Sequence, residues 1–141
     1  FASLKALTVQ GTLVARGTST NPITFTSSKA SPAKGDWGYI QFTDTSTDAT
    51  FDASGNYASG SIVQYAVIEY AGGTSVTDNG ALRIEASSPY VDHNTIRNNK
   101  ADGIHAWNAA PRITYNSITD NGIAGSVSAE GYLSPLVAQG Q

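Results

Sequence analysis

The chain has 141 residues, 40% of them hydrophobic and only 13% charged, with a formal net charge of −3. That length supports one domain with its own core, and the sparse, slightly acidic charge lacks the basic footprint that nucleic acid requires as a partner. There is no cysteine, which excludes disulfides and thiolate metal sites, and no apolar run approaches the roughly 18 residues needed for membrane insertion. Methionine is also absent, so the sequence reads as a processed or excised piece of a longer protein.

From the N-terminus, Leu7/Val9, Leu13/Ala15 and Ile23/Phe25 are three short alternating pairs separated by Gly11 and by the Gly17 to Pro22 segment. Alternation with period two predicts strands with one buried face. Three such strands without two-residue hairpin turns fill one circuit of a three-sided solenoid better than a meander. A polar connection, Ser28 to Asp36, leads to a strand with Ile40 and Phe42 inward and Gln41 and Thr43 outward. Residues 44–60, rich in Ser, Thr, Asp and Gly, predict a loop insertion projecting from one corner. SIVQYAVIEY then resumes the pattern.

Two successive segments, PYVDHNTIRNN and PRITYNSITDN, are one unit written twice. They place Pro89 on Pro111, Val91 on Ile113, Asn94 on Asn116, Ile96 on Ile118 and Asn99 on Asn121, each 22 residues apart. The same offset puts Leu82 on Ile104 and Ile84 on Ala106. An offset of 28 puts Val63 on Val91 and Ile68 on Ile96, the extra length falling at Gly72 to Asn79. A unit this short cannot bury its apolar face alone, so a fixed period predicts stacked coils, about five of them, in a single domain over 1–141. After Asn121 a further coil begins and the pattern fades. No helix is predicted, because Gly or Pro interrupts almost every window and no 3.6-residue period is sustained.

The pattern P-x-[VI]-x-x-N-x-I-x-x-N, preceded by GTLVARGT, PITFTS and GDWGYIQF, resembles the right-handed parallel β-helix repeats of pectin-lyase-like proteins over roughly Leu7 to Gly122. Its wording is similar to that of secreted or cell-surface bacterial repeat proteins. The resemblance implies an all-β, right-handed parallel β-helix, a three-sheet solenoid without substantial α-helix. It does not imply an activity, since that fold carries polysaccharide lyases, hydrolases, tailspikes and adhesins. It also implies a structural ladder of Asn94 and Asn116 at the turn between the second and third sheets, where Asn tolerates a left-handed backbone. Ala66 in the preceding coil makes that ladder short.

Three sets of residues could carry chemistry. Arg83, Glu85, His105 and Trp107, with Gln41 and Thr43 one coil earlier, fall on the outward face of the first sheet. An aromatic plane beside polar groups suits a sugar ring, against the plainer reading of solvent-facing cross-strand pairs. In the resembled lyases an acidic substrate lies along this sheet, with calcium on clustered carboxylates and an arginine or lysine as base. Asp44, Asp48 and Asp52, with Asn56, offer oxygens to a hard cation such as calcium, or simply form a solvated acidic loop without an EF-hand spacing. Tyr65, His93 and Tyr115 share one column, which reads as a structural stack, and Glu69 with Arg97 reads as a surface pair.

The expectation is a non-catalytic extracellular or cell-surface module that needs no cofactor and binds polysaccharide. The alternatives are a polysaccharide lyase or glycoside hydrolase, and a structural solenoid that self-associates end to end through its unpaired strand edges.

Overall fold

The computed structural model describes residues 1–122 together with the strands Val127–Glu130 and Val137–Gln139. Its strands repeat a three-step path. β1 (Leu7–Val9), β2 (Val14–Arg16) and β3 (Ile23–Phe25) start three sheets, and β4 (Ile40–Phe42) returns to the first. A hairpin of β5 (Thr50–Phe51) and β6 (Tyr57–Ser59) intervenes before β7 (Ile62–Gln64) and β8 (Ala66–Glu69) extend the second and third sheets. Then come β9 (Gly80–Glu85), β10 (Tyr90–Asp92) and β11 (Thr95–Arg97), followed by β12 (Asp102–Trp107), β13 (Arg112–Thr114) and β14 (Ser117–Thr119). β15 (Val127–Glu130) and β16 (Val137–Gln139) extend the first two sheets, so a further coil does follow Asn121. The fading segments around those two strands lie outside the described residues.

The sheet orders are β1-β4-β9-β12-β15, β16-β13-β10-β7-β2 and β14-β11-β8-β3. Every pairing within them is parallel, and only the β5–β6 hairpin is antiparallel. The protein is therefore all-β, with the strand path of a solenoid and no helix among the described residues.

The 22- and 28-residue offsets give the observed register. Ile104 pairs with Leu82, Ala106 with Ile84, Val91 with Val63 and with Ile113, and Ile96 with Ile68 and with Ile118. Because like positions stack, the inward residues form continuous apolar columns. Ile40, Phe42, Ile62, Val63, Ile68, Leu82, Ile84, Val91, Ile96 and Ile104 are completely buried. Each such side chain stabilises by about 1.5–3 kcal/mol relative to exposure. Trp37 closes one side of this core, its ring stacked 4.1 Å from Phe1 and its Nε1 donating to Glu69 O.

The corners are built from two ladders rather than the single one expected. Asn94 Nδ2 donates to Asn116 Oδ1 at 3.0 Å and to Val63 O, while Asn116 Nδ2 donates to Val91 O. One corner further on, Asn99 Nδ2 donates to Asn121 Oδ1 at 2.8 Å and to Ile68 O, and Asn121 Nδ2 donates to Ile96 O. Both ladders end on an alanine, as Ala66 in place of Asn required: the amides of Ala66 and Ala71 donate to Asn94 Oδ1 and Asn99 Oδ1. The left-handed backbone does not fall on the ladder asparagines. It falls one residue earlier, on Tyr65, His93 and Tyr115 at one corner and on Tyr70, Asn98 and Asp120 at the next. Turning the preceding residue aims the Asn side chain inward along the stack.

One connection ties coils together along the axis. Residues 28–36 run across the corner between the third and first sheets, passing so close to Gly73 that a Cβ there would lie 1.9 Å from Gly35 O. Lys34 Nζ then donates to Asp120 O. A clip holds the base of this segment: the Asp36 carboxylate accepts from Ser27 Oγ, the Ala33 amide and Lys29 Nζ, the last at 2.6 Å. The Lys29 hydrogen bond leads in lowering the Asp36 carboxyl from its ordinary 3.8 to about 2, with the Ala33 and Ser27 bonds behind it.

Two predictions follow from these contacts. Asn94→Ala orphans the Ala66 amide and Val63 O, at about 1–3 kcal/mol for each buried group. Urea unfolding of the variant is expected to show a loss of at least about 2 kcal/mol, and an unchanged midpoint would mean that the ladder carries no net stability. Because the folded pKa of Asp36 is depressed, its contribution is present above pH 3.8 and is lost as pH falls towards 2. Acid melts of wild type and Asp36→Asn should therefore converge across that window, and parallel curves would remove the clip from the pH response.

Candidate functional site

The outward residues of the first sheet do come together. Gln41 pairs with Arg83, Arg83 with His105, and Glu85 with Trp107 across adjacent strands. Gln41 connects the set: its Oε1 accepts from Arg83 Nη1 at 2.9 Å, and its Nε2 donates to Glu85 Oε2 at 2.9 Å. The Arg83 guanidinium lies between two rings, 4.6 Å from the centre of Tyr39 and 5.1 Å from that of Trp107. His105 meets Trp107 edge-on at 5.8 Å.

Arg83 and His105 are not the open surface groups that alternation alone implies. They are 8% and 6% exposed. Residues 73–79 cross over them: Arg83 Nε donates to Asp78 O and Nη2 to Thr77 O, and Asp78 Oδ1 sits 3.7 Å from His105 Nε2. The other imidazole nitrogen, Nδ1, lies 3.2 Å from the buried Asp102 carboxylate. All three kinds of donor nitrogen on Arg83 are thus committed, two to strap carbonyls and one to Gln41. Gln41, Glu85, Trp107 and Tyr39 remain half-buried at the surface, whereas Thr43 Oγ1 is turned to Val9 O.

The acidic insertion lies elsewhere. Residues 44–60 do not project but fold as the β5–β6 hairpin onto the second sheet. Phe51 packs edge-on against Tyr90 at 5.2 Å, and the Arg112 guanidinium lies 3.4 Å over the Phe51 ring. Arg16 lies over Tyr57 on the other strand, and Arg112 Nη1 donates to Gly55 O. Asp48 Oδ1 accepts from the Ser88 amide. Asp52 is the turn-forming residue, accepting from the amides of Ser54 and Asn56 and from Asn56 Nδ2, and the Asn56 bonds hold its carboxyl below the ordinary value. Asp44 is exposed. No group of three or more His, Asp or Glu gathers to hold a metal ion among the described residues, so the three aspartates do not form the cation cluster considered from the sequence.

Tyr65, His93 and Tyr115 form the expected column, with ring centres 4.9 Å apart at each step. Beside it lies a polar chain that sequence reasoning missed. Arg16 Nε donates to Gln64 Oε1, Gln64 Nε2 to Asp92 Oδ2, and Thr114 Oγ1 to Asp92 Oδ1, with His93 Nδ1 2.8 Å from Asp92 Oδ2. Burial alone would raise the Asp92 carboxyl, yet the Thr114 and Gln64 bonds, with His93 beside it, hold it below its ordinary value. These four positions occupy the same outward place in successive coils, so counting by the repeat could have found them. Glu69 and Arg97 pair at 3.1 Å as expected. The comparisons with known proteins returned no match: no family model, no curated protein and no solved structure is significantly similar to this chain.

Proposed function

We propose that this chain is a non-catalytic module of a right-handed parallel β-helix, pectin-lyase-like in type, within a secreted or cell-surface bacterial protein, and that it presents the outer face of its first sheet to carbohydrate. The observation that carries this reading is the connected strip of Gln41, Glu85, Arg83 and Trp107. Trp107 offers apolar ring surface to the C–H face of a sugar, and Glu85 offers an acceptor to its hydroxyls. A lyase or hydrolase is less well supported. Arg83 has its donors on backbone carbonyls and Gln41, Asp48 is committed to the Ser88 amide, and Asp52 to the amides of its own turn. A glycan array is expected to find ligands for the wild-type chain that bind Trp107→Ala at least about tenfold more weakly. Ligands retained at full strength by the variant would remove the strip from the binding function.

A second reading, end-to-end assembly, is favoured by one specific observation. Among the described residues, β1, β2 and β3 each pair on one side only, and Val14 and Leu4 beside that edge are 59% and 57% exposed. Unpaired strand edges beside exposed apolar side chains are templates for another chain. Sedimentation velocity should then show mass rising with protein concentration, and a constant monomer across the range would dismiss assembly.

A further inference from the structure

The strip separates its charges by depth. Arg83 and His105, its two basic side chains, are buried beneath residues 73–79. Its carboxylates face outward: Glu85 is half-buried at the surface, and the Asp78 side chain, on the strap itself, is 38% exposed. The third nearby carboxylate, Asp102, is buried against His105. Gln41 occupies only Glu85 Oε2, and no described residue bonds Oε1. A ligand approaching this face therefore meets Trp107 and Tyr39 ring surface, one amide and two carboxylates. Every guanidinium nitrogen of Arg83 is already donating to Thr77 O, Asp78 O or Gln41.

We infer that the strip selects neutral, hydroxyl-rich glycans and rejects acidic ones. This inference rests on the carbohydrate-binding reading of the strip and specifies its ligand class. Sugar hydroxyls are donors, and Glu85 Oε1 and Asp78 are acceptors, so a neutral chain pairs its polar groups while its C–H face covers the indole. A uronate brings a further anion against Glu85 and Asp78 and finds both of the strip's own cations, Arg83 and His105, buried. Like-charge contact at a partly desolvated surface acts mainly against the wrong partner, so the acidic face works as a specificity device.

Calorimetric titration at low ionic strength with cellohexaose, xylohexaose and hexagalacturonate tests this, using the wild-type chain, Glu85→Lys and Trp107→Ala. At least one neutral probe is expected to bind the wild type about tenfold or more tighter than hexagalacturonate, and Glu85→Lys should narrow or reverse that ratio. Hexagalacturonate binding as tightly as the neutral probes, in a manner lost with Trp107→Ala, would overturn the ligand class while leaving the strip as the binding site. Binding of every probe untouched by Trp107→Ala would overturn the strip and this inference together. Should Glu85→Lys fail to fold, salt replaces it: added salt should strengthen wild-type binding of hexagalacturonate and leave neutral binding unchanged. Weakening of hexagalacturonate binding by salt would indicate a reachable cation and overturn the proposal.

Discussion

In a stack of parallel coils every position has the same position above and below it, and that translational constraint governs the rest of this structure. An apolar residue is satisfied by an apolar neighbour, which is why the columns through Leu82 and Ile104, or Val63, Val91 and Ile113, are buried throughout. A buried polar side chain is harder to place, because its donors and acceptors must both point along the stack. Asparagine meets this condition. One amide supplies an acceptor and a donor to the preceding coil and, in Asn94, a second donor to the Asn116 oxygen in the next, so Asn94 and Asn116 close both corner carbonyls and corner amides. Leaving such groups unpaired costs about 1–3 kcal/mol each, comparable with burying a whole aliphatic side chain. Breaking one corner bond is therefore as damaging as exposing one core side chain, although the bond's own net contribution is smaller.

The outward faces obey the same geometry with a different result. Arg16, Gln64, Asp92 and Thr114 stand in one column, and each bonds the next. Exposed ion pairs such as Glu69 with Arg97 are worth about 0–1 kcal/mol, so their surfaces remain available to compete for a ligand. The Arg83 set differs because it is covered. A guanidinium held between two rings and bonded to two strap carbonyls is part of the packing, and its charge serves to hold residues 73–79 against the sheet.

Periodicity made a large part of this legible from the amino-acid sequence. The offset of 22 between Pro89 and Pro111 gave the vertical neighbours of Arg83, Glu85 and Asn94 without any knowledge of side-chain contacts. The second ladder was equally available, since Asn99 and Asn121 stand at the same offset. The left-handed residue was misplaced because Asn is the usual occupant of that conformation, and here Tyr65, His93 and Tyr115 adopt it instead, offsetting its cost by stacking on one another. Loop placement was not legible. Asp52, Gly55 and Asn56 between Phe51 and Tyr57 carry the chemistry of a hairpin turn, but which sheet the hairpin covers depends on Tyr90 and Arg112, from later coils.

The three interruptions of the repeat decide which chemistry of the regular strands reaches solvent. Residues 28–36 brace the corner before the first sheet, 44–60 close much of the second sheet, and 73–79 close the basic half of the first. None of these segments changes the register beneath it, because the coils on either side still pair strand for strand. A solenoid can therefore acquire or lose a binding face by changing a loop while its core columns stay intact. In this chain the strap over Arg83 has that effect: the strands supply a cation, a carboxylate and an indole, and the loop removes the cation from the accessible surface. What the strip offers to solvent follows from its covering as much as from its composition: alternation places Arg83 and His105 outward, and the strap leaves them only 8% and 6% exposed.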